Sequence, residues 1–362
     1  MSITPEKLLR EELASMQAYH VADSSGLIKL DAMENPYAFP ESLLDAWLTE
    51  IKQVALNRYP NPQASALKKT FQKAFSLSTK LELMFGNGSD ELIQLLIMAI
   101  AKPNARILTV TPTFSMYKLI AEYVGVDVLE VPLQQDSFAL QMDLLVEEIK
   151  THKPAIIFLA CPNNPTGTLW PQDQVEEIIK HATGIVVIDE AYTPFAAYSM
   201  MSLVERYPHA LMMRTVSKMG LAGLRLGWML GHEQWINELN KMRLPYNINA
   251  LTQVSADFAL QNITVFEQQA ERICQQRDVL FNALQAIEKI KVFPSEANFI
   301  LFKVLSGNAN DVYQRLLDNK IIIKNVSSGS ADNNLLENCL RVTVGTADEN
   351  LTFLKALELS LT

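Results

Sequence analysis

The sequence predicts an α/β protein: a large, mostly parallel sheet clothed in helices, followed by a smaller α+β unit at the C-terminus. Three observations predict it. Between residues 106 and 230, short apolar runs alternate with helical patterns, as in a parallel sheet with crossover helices. Several runs, Ala155–Ala160 and Gly184–Ile188 among them, are apolar almost throughout, as strands covered on both faces must be. The connection Lys241-Met-Arg-Leu-Pro-Tyr-Asn-Ile-Asn249 then leads into a long helical stretch and a different mixture of elements. These signals divide the chain into an arm (1–28), a large domain (29–245) and a small domain (246–362), with 241–249 as the hinge.

The elements follow in order. The first two dozen residues read as a helix and an arm, and Leu27–Leu30 as a short strand. Met33-Glu-Asn-Pro-Tyr37 is turn-prone, because Asn-Pro favours chain reversal. A helix is expected from about Pro40 to Leu56, with Leu43, Leu44, Trp47 and Ile51 at helical spacing, and a second over about Gln63–Phe75. Between them lies Arg58-Tyr-Pro-Asn-Pro62, stiffened by its prolines. Phe85-Gly-Asn-Gly-Ser-Asp-Glu91 closes a strand and opens an apolar helix. Its glycines allow a tight turn, Ser89 is the expected N-cap, and the helix start suits a phosphate. Strands are expected at Arg106–Val110, Val126–Val131, Ala155–Ala160, Gly184–Ile188, Leu211–Val216 and Leu226–Leu230, with helices between most of them. Beyond the hinge, one helical region is expected over about Leu251–Ala286. Strands should follow at Val292–Phe293, Asn298–Val304, Ile321–Lys324 and Leu340–Val344. Ser327–Asn334 is the most loop-like part.

Composition narrows the functional classes. The 362 residues are 49% hydrophobic and 20% charged, with a net charge of −9. No basic tail or run is present, which argues against general nucleic-acid or anionic-membrane binding. The longest apolar run, Leu95–Ala101, is far too short to span a bilayer. Three scattered cysteines, Cys161, Cys274 and Cys339, suit neither a disulfide framework nor a zinc site and fit a reducing cytoplasm.

Three clusters carry the chemistry, each following a strand. In Cys161-Pro-Asn-Asn-Pro-Thr-Gly167, prolines flank the Asn163–Asn164 pair, whose Asn164 amide can donate to a phenolate-like oxygen. In Val187-Ile-Asp-Glu-Ala-Tyr192, Asp189 ends an apolar strand, and a partly buried carboxylate there needs a positive partner. A protonated pyridine nitrogen is one, and Tyr192 is placed to reach the hydroxyl side of such a ring. In Thr215-Val-Ser-Lys-Met-Gly-Leu-Ala-Gly-Leu-Arg-Leu-Gly-Trp228, Lys218 lies among Thr215, Ser217 and Arg225. A lysine held still and partly desolvated is nucleophilic, and hydroxyls with an arginine suit a phosphate monoester. Together they point to a cofactor carrying an aldehyde and a phosphate, pyridoxal 5′-phosphate. No ligand array for a metal accompanies Asp189 beyond Glu190.

Asn-Pro-Thr-Gly, Asp-Glu-Ala-Tyr and Ser-Lys…Gly-Leu-Arg-Leu-Gly, in this order, resemble the fold-type I pyridoxal-phosphate aminotransferases of the class I/II branch. The resemblance runs from about residue 27 to the C-terminus. It implies Lys218 as the Schiff-base lysine and proton shuttle, Asp189 on the ring nitrogen, and Asn164 and Tyr192 on the ring oxygen. It implies Ser89, Asp90, Thr215, Ser217 and Arg225 at the phosphate, and Phe114 stacked on the ring where many relatives carry Tyr. Glu34-Asn-Pro-Tyr37, Asn57-Arg-Tyr-Pro60, Leu244-Pro-Tyr-Asn-Ile-Asn249 and Cys339-Leu-Arg-Val-Thr-Val-Gly345 are most similar to the histidinol-phosphate aminotransferases within that branch. That likeness implies a homodimer with Tyr59 reaching the neighbouring subunit's cofactor phosphate. It implies Arg341 as the clamp for a substrate carboxylate, with Tyr19 and Asn35 in the substrate pocket. Lys324 stands where relatives commonly carry Arg, and the two are not equivalent at an anion site.

The implied reaction is ping-pong transamination between histidinol phosphate and 2-oxoglutarate, in histidine biosynthesis. An aminotransferase for aromatic or other amino acids, or a phospho-amino-acid decarboxylase, would keep the same cofactor residues. A cofactor-sensing regulator would need an added basic DNA-binding module; here the motifs begin by residue 34 and the charge balance is acidic.

Overall fold

The computed structural model describes residues 3–10, 16, 23–327 and 334–361. Tyr19 and most of the Ser327–Asn334 segment lie outside the described residues. A seven-stranded sheet organises the chain. In chain order its strands are β2 (Leu81–Gly86), β3 (Arg106–Thr111), β4 (Asp127–Pro132), β5 (Ile156–Ala160), β6 (Ile185–Asp189), β7 (Ala210–Thr215) and β8 (Gly227–His232). Across the sheet they run β2-β8-β7-β6-β5-β3-β4. The pairs from β7 to β4 are parallel, and β8 is antiparallel to both β7 and β2. The carboxyl ends of β2, β3, β5, β6 and β7 therefore share one edge with the amino end of β8. That edge is where an open α/β sheet places its ligand.

Alternation along the strands fills both faces. Val186, Ile188 and Met212 enter one core cluster, with Phe71, Phe85 and Trp228. Ile185, Val187, Leu211 and Met213 enter the other, with Leu92, Ile97 and Phe158. This is the period-two consequence of strand geometry, and it explains why the sequence of these strands shows no polar face.

The covering helices are α1 (Glu41–Ile51), α2 (Ser65–Ala74), α3 (Ser89–Ile100), α4 (Met116–Val124), α5 (Met142–His152), α6 (Gln172–His181), α7 (Met201–Arg206) and α8 (Glu233–Asn240). The first is shorter than its spacing predicts. The N-cap of α3 is Gly88, and no side chain caps it, so Ser89 is the first helical residue rather than the cap.

The helical region after residues 241–249 is two helices, α9 (Ala250–Gln261) and α10 (Ile263–Gln285). They part at Asn262, whose φ of −114° leaves the helical region and whose Nδ2 donates to Phe258 O at 2.9 Å. A short polar side chain that bonds its own preceding turn competes with helix continuation. Helix α9 packs on the large sheet's helices: Trp47 Nε1 donates to Ser255 Oγ at 3.0 Å, and Thr70 Oγ1 to Asp257 Oδ1 at 2.5 Å. Helix α10 is the spine of the molecule. Phe266 joins the first core cluster, while Ile273, Leu280 and Leu284 join that of the C-terminal unit.

That unit is a four-stranded antiparallel sheet of β9 (Ile290–Val292), β10 (Phe299–Val304), β12 (Lys324–Asn325) and β13 (Cys339–Thr343), in the order β12-β13-β10-β9. Helices α11 (Ala309–Asp318) and α12 (Ala347–Ser360) cover it, and a Thr346–Glu349 capping box starts α12. The expected strand Ile321–Lys324 is interrupted. Its first half, β11 (Ile321–Ile322), pairs in parallel with β1 (Ile28–Lys29). Residues 28–30 are thus laced to the C-terminal unit, and Thr343 N donates to Leu30 O at 2.8 Å.

Candidate active site

The shared sheet edge opens into a cavity of about 240 Å³. It is lined by Ser89, Asp90, Phe114, Asn164, Asp189, Tyr192, Thr215, Ser217, Lys218 and Arg225, ten of the residues singled out in the sequence. Each arrives from a strand end: Ser89 and Asp90 after β2, Phe114 after β3, Asn164 after β5. Asp189 and Thr215 are the last residues of β6 and β7, and Arg225 precedes β8.

Lys218 sits in a short 3-10 turn, Ser217–Met219. Its Nζ donates to Ala32 O at 3.1 Å and lies 5.8 Å from the centre of the Tyr192 ring. Burial lowers its pKa to about 8, helped by the positive charges of Arg341 and Arg225 and opposed by Glu34 and Asp90. Asp189 is 4% exposed. Burial raises its pKa to about 6, against the hydrogen bonds that Tyr117 and Ala191 give it. Tyr117 Oη donates to Oδ2 at 2.7 Å and Ala191 N to Oδ1 at 3.1 Å. A buried carboxylate that still leans towards protonation calls for a cation or a shared proton.

Asn164 links two further groups. Its Nδ2 donates to Tyr192 Oη at 3.1 Å, and its Oδ1 accepts from Arg341 Nη1. The Tyr192 hydroxyl is held well above its ordinary pKa by burial. Arg341 comes from β13, is 6% exposed, and its Nη2 donates to Asp31 O at 2.9 Å.

At the other polar group, Thr215 Oγ1 and Ser217 Oγ are 2.8 Å apart, and Arg225 Nη2 reaches Asp90 Oδ2 at 3.3 Å. The backbone here is too tight for side chains. A Cβ on Gly88, whose φ is +84°, would lie 2.6 Å from Arg225 Nη2, and one on Gly227 would lie 2.5 Å from Ser89 N. Paired hydroxyls, a guanidinium and helix-start amides brought this close form an anion cradle. The donor set therefore fits a phosphorylated pyridine aldehyde: cradle, buried carboxylate, amide and amine line one space.

Other expected residues lie elsewhere. Asn35 does not line the cavity: its Nδ2 donates to Met219 O at 3.0 Å and to Gln269 Oε1 at 2.9 Å, bracing the Lys218 turn. Tyr59 is 80% exposed and stacks on Tyr246, centroids 4.5 Å apart. Lys324 is exposed on β12, directly across from Arg341 on β13. Opposed residues in an antiparallel pair share a face.

Residues 25–357 match the family model described as aminotransferase class I and II. The chain belongs to that family. Histidinol-phosphate aminotransferase 2 of Nitrosococcus oceani is 47% identical over 350 residues, covering 97% of this chain and 96% of that protein. Its counterpart from Cupriavidus pinatubonensis is 44% identical over 361 residues, 98% and 97% of the two chains. Among solved structures, histidinol-phosphate aminotransferase from Sinorhizobium meliloti superposes with a TM-score of 0.86 at 20% identity, covering 98% of this chain and 97% of that one. The fold of the family is thus shared over nearly the whole chain.

Sequence reasoning missed several contributors. Ala32, Met33 and Glu34 line the cavity, brought there by the β1–β11 pairing and by Asn298 Nδ2 donating to Met33 O at 3.0 Å. Tyr117, the second residue of α4, packs against Phe114 and Phe158 and carries its hydroxyl to Asp189. Glu190, 1% exposed, binds Arg214 Nη2 at 2.6 Å and fixes the turn after Asp189.

Proposed function

We propose that this chain transfers the amino group of histidinol phosphate to 2-oxoglutarate, as a pyridoxal-phosphate aminotransferase of histidine biosynthesis. The observation that carries this is the convergence of a buried lysine, its pKa lowered by that burial, and a buried carboxylate on one cavity, in a chain 44–47% identical to proteins of that name. The Sinorhizobium meliloti protein was solved in complex with pyridoxal-5′-phosphate. Bound here, that cofactor supplies an aldehyde to receive the amino group and a protonated ring that takes up electron density.

The chain's own residues do the rest. Ser89, Thr215, Ser217 and Arg225 hold the phosphate, Asp90 orients Arg225, and Phe114 covers one ring face. Asp189 keeps the ring nitrogen protonated, and Asn164 with Tyr192 donates to the ring oxygen. Lys218 Nζ, neutral over a useful fraction of molecules near pH 8, takes the proton from the donor's α-carbon. It delivers it to the carbon on the other side of the transferred nitrogen. Arg341 receives the carboxylate of the 2-oxo acid, beside Asn164. Lys324 meets the distal anion of either substrate, from the same face of the sheet.

The molecule acts as a homodimer with Tyr59 at the partner's phosphate. Leu56, Tyr59, Leu244 and Tyr246, all exposed, supply apolar surface for the contact. Among the described residues no helix is long and apolar enough to cross a membrane, and three unpaired thiols suit the cytoplasm. The test is a turnover screen of histidinol phosphate against free phenylalanine and tyrosine with 2-oxoglutarate. A higher kcat/KM for either aromatic amino acid overturns the substrate assignment.

A further inference from the structure

Tyr117 is the hinge of two contacts that meet in the cavity. It is completely buried in the first turn of α4. Its ring stacks on Phe158 of β5, centroids 4.7 Å apart and planes within 9°. It makes a T-shaped contact with Phe114, centroids 5.5 Å apart and planes at 84°. Its hydroxyl donates to Asp189 Oδ2 at 2.7 Å. The stack and the edge contact lock the ring, so the hydroxyl has one direction available. The residue that covers the cavity and the carboxylate beside it are thereby held by one side chain.

We propose that Tyr117 is a positioning residue that keeps Asp189 ionised and aimed, and so sets the charge of the cofactor ring bound against it. The inference rests on the cofactor reading above. Its physical basis is that Asp189 is buried and receives two hydrogen bonds, from Tyr117 and Ala191. Each favours the carboxylate over the acid. The other groups that act on Asp189, Asp90 and Glu190, are like charges that push it towards protonation, and Glu190 is itself paired with Arg214. Tyr192 stands above its ordinary pKa, as Tyr117 does, so neither is a source of negative charge near neutrality. Removing the Tyr117 hydroxyl leaves Ala191 N as the remaining donor. A proton shared between carboxylate and ring nitrogen then moves towards the carboxylate, and the ring loses positive character.

Tyr117→Phe tests this, because it keeps both ring contacts and deletes only the donor. Two readouts besides turnover are taken on wild type and variant. One is the pH midpoint of the bound cofactor's visible absorbance band. The other is the affinity of resolved protein for pyridoxal 5′-phosphate. A less positive ring holds the proton on the Lys218–cofactor nitrogen more tightly, so the midpoint should rise by about one unit, the scale of a lost charge-assisted hydrogen bond. Cofactor affinity should fall about tenfold, by the same scale. A purely structural role would lower thermal stability and leave the midpoint in place. An unchanged midpoint with unchanged affinity overturns the proposal. Should Tyr117→Phe fail to fold, Tyr117→His and Tyr117→Met repeat the comparison, donor against no donor, and equal midpoints overturn it as well. A wild-type protein that binds no pyridoxal 5′-phosphate defeats the cofactor reading itself, an outcome distinct from the other two.

Discussion

In the proposed reaction Lys218 is the residue on which the chemistry turns, and its environment sets testable pH behaviour. Its folded pKa, about 8, lies below the ordinary lysine value of 10.5. The neutral amine is therefore favoured by the fold, and cofactor attachment to resolved protein should accelerate with pH along a curve centred near 8. A midpoint near 10 in stopped-flow absorbance would contradict the burial argument. The same shift has a cost to stability. A lysine with a depressed pKa penalises the folded state where it is charged, below pH 8, and the penalty disappears as pH rises to 10.5. Lys218→Met should thus raise the melting temperature of cofactor-free protein at pH 7, with the gain shrinking between pH 8 and 10.5. The same substitution should abolish turnover. Asp189→Asn should lower kcat on the order of 10²–10³-fold, the usual consequence of losing one preorganised electrostatic partner.

At the scale of elements, the anion cradle depends on backbone closeness. Gly227 opens β8 against the Gly88–Ser89 backbone, and a Cβ there meets main-chain atoms that cannot swing aside. Gly88 would meet the mobile end of Arg225 instead, although its φ of +84° adds strain. Gly227→Ala should therefore cost about 1–3 kcal/mol in chemical denaturation, the range for overpacking. Gly88→Ala should weaken cofactor binding more than it lowers stability. Equal losses of stability in the two variants would remove the distinction.

These elements also show what was legible. The central strands were readable because they are apolar on both faces, and their ends were displaced by only a residue or two. The break at Asn262 escaped notice because apolar spacing continues through it; a local side-chain bond, not the hydrophobic pattern, stops the helix. The split of 321–325 into β11 and β12 was illegible because the two halves take different partners, β11 the distant β1 and β12 the nearby β13.

At the scale of the whole molecule, the exposed Tyr59–Tyr246 stack and its apolar neighbours bear on assembly. If Tyr59 serves the partner's site, Tyr59→Ala and Lys218→Ala inactivate a dimer differently. Each homodimer lacks complete sites, whereas a mixed dimer regains one site with both native residues. Subunit exchange between the two inactive variants should restore activity towards half that of wild type per dimer. Failure to regain activity, with mixed dimers confirmed by mass spectrometry, would exclude a shared site. In the proposed reaction substrate choice belongs to this scale too, because Arg341 and Lys324 come from the C-terminal sheet and Lys218 from the large one. Lys324→Arg should lower KM for histidinol phosphate, since a guanidinium binds phosphate with two aligned donors; an unchanged KM would place the phosphate elsewhere.

The sequence by itself determined the fold class, the strand–helix order and the residues at the strand ends. Those depend on local periodicity and on motifs whose spacing is short. Eight of the cavity residues follow from that, because a parallel sheet brings the ends of its strands to one edge, and the family resemblance adds Asp90 and Phe114. Only the tertiary structure decided the rest: that Ala32 and Glu34 reach the cavity, that Asn35 braces the turn instead, and that Arg341 meets Asn164. It also placed Tyr117 under Asp189. Such contacts join residues from 72 to 310 positions apart, and they are set by strand pairing and core packing, for which no short stretch of chain carries the signal.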